Sequence, residues 1–139
     1  MEIKQIITHI YELDMAFGNI CYEAEECYER ENYMATLACI FIIAEQSLKF
    51  RLDKTDGNFH NLINDAYKKG KINKNDFSIL MELKKARNTL FHENHYSNAV
   101  IENSKANLMS EDDTKKMLCD RFFDYVFGFV LDTLSENRI

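Results

Sequence analysis

An arginine and a histidine close one helix-forming stretch of this chain, Arg87-Asn88-Thr89-Leu90-Phe91-His92. The guanidinium is a permanently charged fork whose donors match phosphate geometry. The imidazole exchanges protons near neutral pH. Together they suggest phosphodiester chemistry, one group gripping the phosphate and the other moving protons. The spacing sets a condition. Residues five apart are offset by about 140° around an ideal helix, so Arg87 and His92 do not stack. They flank one phosphate only if the helix frays at His92 or a second copy of the site completes a cleft. A histidine at a helix end also serves as a solvated cation against the helix dipole, and spacing alone leaves both readings open.

The neighbouring residues extend the pattern. Asn88 lies four before His92 and shares its side of the helix, with Lys84 and Lys85 a turn earlier. His95 and Tyr96 follow where the chain leaves the helix. Leu80, Leu83, Arg87 and Leu90 run at steps of three, four and three, so Arg87 interrupts an apolar stripe. A buried guanidinium needs an acidic partner or the border of a cleft. Phe41, Glu45, Leu48 and Leu52 share a face of an earlier helical segment, which puts Glu45 in an apolar stripe too. Glu45 and Arg87 are therefore expected to meet between the two helices, either as an ion pair that fixes helix register or as part of a site. His92-Glu93-Asn94-His95 lacks the i, i+4 histidine spacing of a helical metal pair and a third ligand. There is no glycine-rich phosphate loop and no activated serine or cysteine, and His9 and His60 have no evident partners. No cofactor is implied.

The elements that must position these residues are helices. The 139 residues fit one domain, 1–139, able to bury its own core. Proline is absent and glycine is limited to four, so little breaks a helix. Ile3, Ile6, Ile10, Leu13, Phe17, Ile20, Ala24 and Cys27 form a narrow seam and predict one long first helix. A second is predicted over Tyr33–Leu52, with Leu37, Phe41, Ala44, Leu48 and Leu52 buried. Asp56-Gly57-Asn58 is turn chemistry, and Asn58 caps a short third helix carrying Phe59, Leu62, Ile63 and Ala66. Asn73 and Asp76 form a capping box for the fourth, which runs to Phe91 or Glu93. Residues 94–109 read as a long surface connection, and Ser110, with Glu111, Asp112 and Asp113, starts a fifth helix. That helix is apolar over a broad arc from Phe122 to Leu134, as in a helix central to a bundle or shared with a second subunit.

Charge and cysteines bound the environment. Net charge is −6, which argues against indiscriminate nucleic-acid binding. Residues 1–50 hold nine acids and three bases, whereas 68–87 hold seven bases and two acids and lead into the Arg-to-His segment. The longest apolar stretch, Met34–Ala44, falls short of the roughly 20 residues of a membrane span, and the start lacks the layout of a secretory signal. The expectation is cytoplasmic. Cys21, Cys27, Cys39 and Cys119 form no Cys-x-x-Cys pair and read as buried, reduced thiols.

Taken together, the long first helix, Ala44-Glu45-Gln46-Ser47-Leu48, Leu62-Ile63-Asn64-Asp65-Ala66 with Lys69-Gly70-Lys71-Ile72, and Leu83 to His92 make the chain resemble the HEPN superfamily. The resemblance covers most of the chain and implies an all-α, five-helix up-and-down bundle. It also implies a metal-independent endoribonuclease of the kind found in toxin–antitoxin, phage-defence or RNA-processing systems, working as a homodimer with two copies of the motif at one cleft. By that carry-over Arg87 holds the scissile phosphate, His92 moves protons, Asn88 orients the site and Glu45 positions Arg87. Lys84, Lys85, His95 and Tyr96 become candidate RNA contacts. A non-catalytic HEPN-like module that binds RNA or protein is the alternative. The resemblance leaves open an antitoxin or nucleotidyltransferase partner. However, the tyrosine that such a transferase modifies in a group of these toxins lies two positions after the histidine, where this chain has Asn94, and the nearest tyrosine is Tyr96.

Overall fold

The apolar stripes close around one another as α1 (Ile3–Leu13), α2 (Met15–Glu29), α3 (Tyr33–Leu52), α4 (Phe59–Lys68), α5 (Lys74–Phe91) and α6 (Asp112–Glu136), with two short strands, β1 (Ala99–Glu102) and β2 (Lys105–Leu108), before the last helix. The computed structural model describes residues 2–91, 99–102, 105–108 and 112–136. The bundle is helical, as expected, but six helices rather than five are present among the described residues.

The extra helix comes from the N-terminal seam, which is not one long helix. It breaks at Asp14, whose extended backbone ends α1 and whose carboxylate accepts the Phe17 N–H at 3.1 Å to start α2. The two halves then fold back as a hairpin. Lys4 reaches Glu25 and Glu29 at 3.8 and 3.6 Å, Thr8 meets the Tyr22 hydroxyl at 3.2 Å, and Tyr11 lies against Gly18. A Cβ at Gly18 would sit 2.4 Å from the Tyr11 Cα, so this close crossing requires glycine. The seam carried no sign of the break, because Leu13 and Phe17 keep helical phase across it.

α3 occupies Tyr33–Leu52, the span predicted, and is buried on most of its circumference, from Leu37 and Ile40 to Ala44 and Leu48. It packs most extensively on α6, and also touches α2, α4 and α5. The broad apolar arc of α6 is thereby occupied within the chain. Phe122, Val126, Phe127, Val130 and Leu134 are all buried. Taken whole, α3 is also long and apolar enough to cross a membrane by length and composition, though half of it is buried in this bundle.

Local signals fixed the remaining boundaries. Asn58 accepts the Asn61 N–H at 2.8 Å to cap α4, and Asn73 accepts the Asp76 N–H at 2.8 Å to cap α5. Gly70 turns the chain between them at φ +69°. The stretch 94–109, expected as a long surface connection, contains a ladder in which β1 pairs antiparallel with β2, Ala99 opposite Leu108. Ser110 and Glu111, the expected caps of the last helix, lie outside the described residues.

Candidate functional site

Two polar residues in apolar stripes meet where α3 and α5 face each other. Arg87 Nη1 lies 3.1 Å from Glu45 Oε2. The other Glu45 oxygen lies 3.2 Å from Lys49 Nζ, one turn on along α3. Glu45 is 19 % exposed and Arg87 28 %, so the pair sits at the edge of the core with one side open. The Arg87 guanidinium also lies 5.6 Å from the centre of the buried Phe59 ring, within cation–π range. Glu45 and Phe59 thus hold the guanidinium from two sides.

That open side is a cleft of about 460 Å³, lined by Glu45 of α3, Lys84, Arg87 and Asn88 of α5, and residues 57–61 at the start of α4. Gly57, at φ +126°, makes the turn that brings the α4 N-terminus there. Two fixed cations, Lys84 and Arg87, face one carboxylate on the lining, in a chain whose net charge is −6. The positive end of the α4 dipole adds to this. The cleft is suited to an anion.

Of the residues singled out in the sequence, the structure brings Arg87, Asn88, Glu45 and Lys84 together. Lys85 is exposed but does not line the cleft. His92, His95 and Tyr96 lie outside the described residues. Among the described residues no three His, Cys, Asp or Glu side chains cluster as metal ligands.

Two further residues acquire a place only in the structure: His60, which the sequence leaves without an evident partner, and Arg51. His60, on the first turn of α4, lines the same cleft, with Nδ1 3.3 Å from Lys84 Nζ. Only the packing of α4 on α5 reveals this, since Lys84 lies 24 residues away. Arg51, on α3, is the second. It is 8 % exposed and donates to Thr133 Oγ1 at 2.7 Å, to the Lys71 carbonyl at 2.8 Å and to the Phe129 carbonyl at 3.2 Å. These bonds tie α3 to α6 and to the turn that launches α5, so Arg51 sets where α5 begins. Tyr125 of α6 reinforces that placement by donating to Asp76 Oδ1 at 2.9 Å, and burial pushes its hydroxyl pKa up.

The cysteines are free thiols. Cys21, Cys39 and Cys119 are buried and Cys27 is half-buried. Burial pushes Cys21 and Cys119 up to about 12 and Cys39 to about 11, which removes the thiolate that nucleophilic catalysis needs.

Compared with known protein families, curated proteins and solved structures, the chain matches none.

Proposed function

We propose that this chain is a metal-independent, HEPN-like endoribonuclease, acting in the cytoplasm as a homodimer in a toxin–antitoxin or phage-defence setting. The observation that carries the proposal is the Arg87 guanidinium, held by Glu45 and Phe59 at the mouth of an anion-suited cleft, five residues before a histidine. An arginine fixed on one side and open on the other is preorganised to stabilise charge on a phosphodiester. The RNA 2′-hydroxyl is its own nucleophile, so the protein need supply only proton transfer and charge stabilisation. In this reading the 2′-oxygen attacks the adjacent phosphorus, Arg87 grips the non-bridging oxygens, and His92 takes and returns protons. The 5′-oxygen leaves, giving a 2′,3′-cyclic phosphate and a 5′-hydroxyl. Asn88 orients the ligand and Glu45 keeps the guanidinium in place.

A second copy would bring its own motif to the cleft. Ile42, one turn ahead of Glu45 on α3, is 46 % exposed, and we assign this face to the dimer contact. Light scattering tests it, and a strict monomer at high micromolar concentration would remove the composite site.

The activity is tested by incubating labelled RNA with the protein in excess EDTA, beside Arg87→Ala and His92→Ala. Cleavage should survive chelation and fall by about 10²–10⁴ in either variant, the scale of a lost acid–base or charge-stabilising group. Cleavage retained by both variants would contradict the proposal. Binding without cleavage would point instead to the non-catalytic RNA-binding module.

A further inference from the structure

His60 and Lys84 lie in contact at the cleft, and their hydrogen-bonding roles conflict. Lys84 Nζ, which carries only donors, lies 3.3 Å from His60 Nδ1. On the other side of the ring, Asn64 Nδ2 lies 3.1 Å from Nε2. The same Asn64 nitrogen lies 3.0 Å from the His60 carbonyl, which fixes the amide with its donor inward. A neutral imidazole accepts at one nitrogen only and an imidazolium at neither. At least one ring N–H therefore points at another donor. Among the described residues both ring nitrogens of this exposed histidine face side-chain nitrogens, so an anionic oxygen seated against Lys84 and the His60 edge would meet donors there.

Lys84 and Arg87 are three apart on α5, so their side chains leave the same helix face as neighbours, about 5–6 Å apart at Cβ. Arg87 has Glu45 as its protein partner, whereas Lys84 lies against the His60 ring. The first turn of α4, which carries His60, opens on the same space.

We propose that Lys84 and His60 form a second phosphate seat beside Arg87, so that the cleft grips two successive phosphates of one nucleic-acid strand. This rests on the nuclease reading only for the identity of the strand. The donor conflict and the cleft stand without it. His60 is here a binding residue that sets the register of the strand against Arg87.

The test uses 2′-O-methyl dinucleotides, which cannot be cut by 2′-hydroxyl attack. One ligand carries a 5′-phosphate in addition to the internucleotide phosphate, and the other carries the internucleotide phosphate alone. Binding is followed by calorimetry and by the His60 ring resonances. The intact protein should bind the two-phosphate ligand about tenfold more tightly, the scale of one charge-assisted hydrogen bond. Lys84→Ala and His60→Phe should each weaken binding of the two-phosphate ligand more than that of the one-phosphate ligand and so abolish the preference, and the two-phosphate ligand should shift the His60 ring signals more than the one-phosphate ligand does. Both positions are on the surface of the cleft, so the variants keep the fold. Equal affinity for the two ligands, or a preference that survives in both variants, would overturn the second seat. Failure of the protein to cut unmodified labelled RNA, with the preference intact, would sink the nuclease reading and leave the seat standing.

Discussion

Two arginines in this protein have opposite surroundings. Arg51 is sealed between α3 and α6, with three donors spent on a hydroxyl and two backbone carbonyls and its plane 4.0 Å from the centre of the Phe129 ring. Arg87 keeps one carboxylate contact and borders open space. The first is satisfied by groups that never leave, so it locks helices. The second is held but not enclosed, which is what a ligand-binding cation requires. The contrast separates the structural charge from the one proposed to hold a ligand more sharply than burial of either residue alone.

Arg51→Met should expose the difference most strongly. It strands the Lys71 carbonyl and loosens α3 from α6, costing about 3 kcal/mol, or roughly 10 °C in melting temperature. Arg87→Met, at the half-open cleft, should stay within about 1 kcal/mol of the parent. Equal losses in the two variants, measured by thermal denaturation, would erase the distinction.

Gly18→Ala gives a control remote from both arginines. Its Cβ would meet the Tyr11 backbone, so the α1–α2 hairpin must part, at a cost of about 2 kcal/mol. Cleavage per folded molecule should not change. A fall in specific activity would mean that the hairpin contributes to the cleft.

Smaller effects belong to the supports of the two arginines. Glu45→Gln keeps the shape beside Arg87 but removes its counter-charge. We expect cleavage to fall by about tenfold, equivalent to about 1.4 kcal/mol in the barrier, with little change in melting. Tyr125→Phe removes the hydroxyl that steadies Asp76 and should cost about 1 kcal/mol, leaving the cleft intact. Denaturant titration reads the latter, and a loss several times larger would show that Asp76 anchors more of α5 than its cap.

How much of this was legible in the sequence depends on the range of each interaction. The Asn58 and Asn73 caps act within three residues, and both were readable. So were the limits of α3, which has turn chemistry on either side. The meeting of Glu45 and Arg87 was readable for another reason: each interrupts an apolar stripe, and two such exceptions tend to solve each other. The break at Asp14 was hidden because the apolar phase runs through it. Its cue is a capping aspartate followed four residues later by a glycine, and that cue acquires meaning only when Tyr11 is seen against Gly18. Arg51 was missed although it too stands near an apolar stripe, because its acceptors are mostly backbone carbonyls, which every sequence possesses. His60 was missed because its partner Lys84 comes from another helix.

The most direct test of the account is the chemistry of the cut RNA ends, with EDTA present and with protein amounts matched by folded fraction. Intact protein and Arg51→Met should both leave 2′,3′-cyclic phosphates at equal specific rates, while Arg87→Met should leave them about 10²–10⁴ times more slowly. Cleavage by Arg87→Met at the parental rate, or ends bearing a 5′-phosphate, would contradict it.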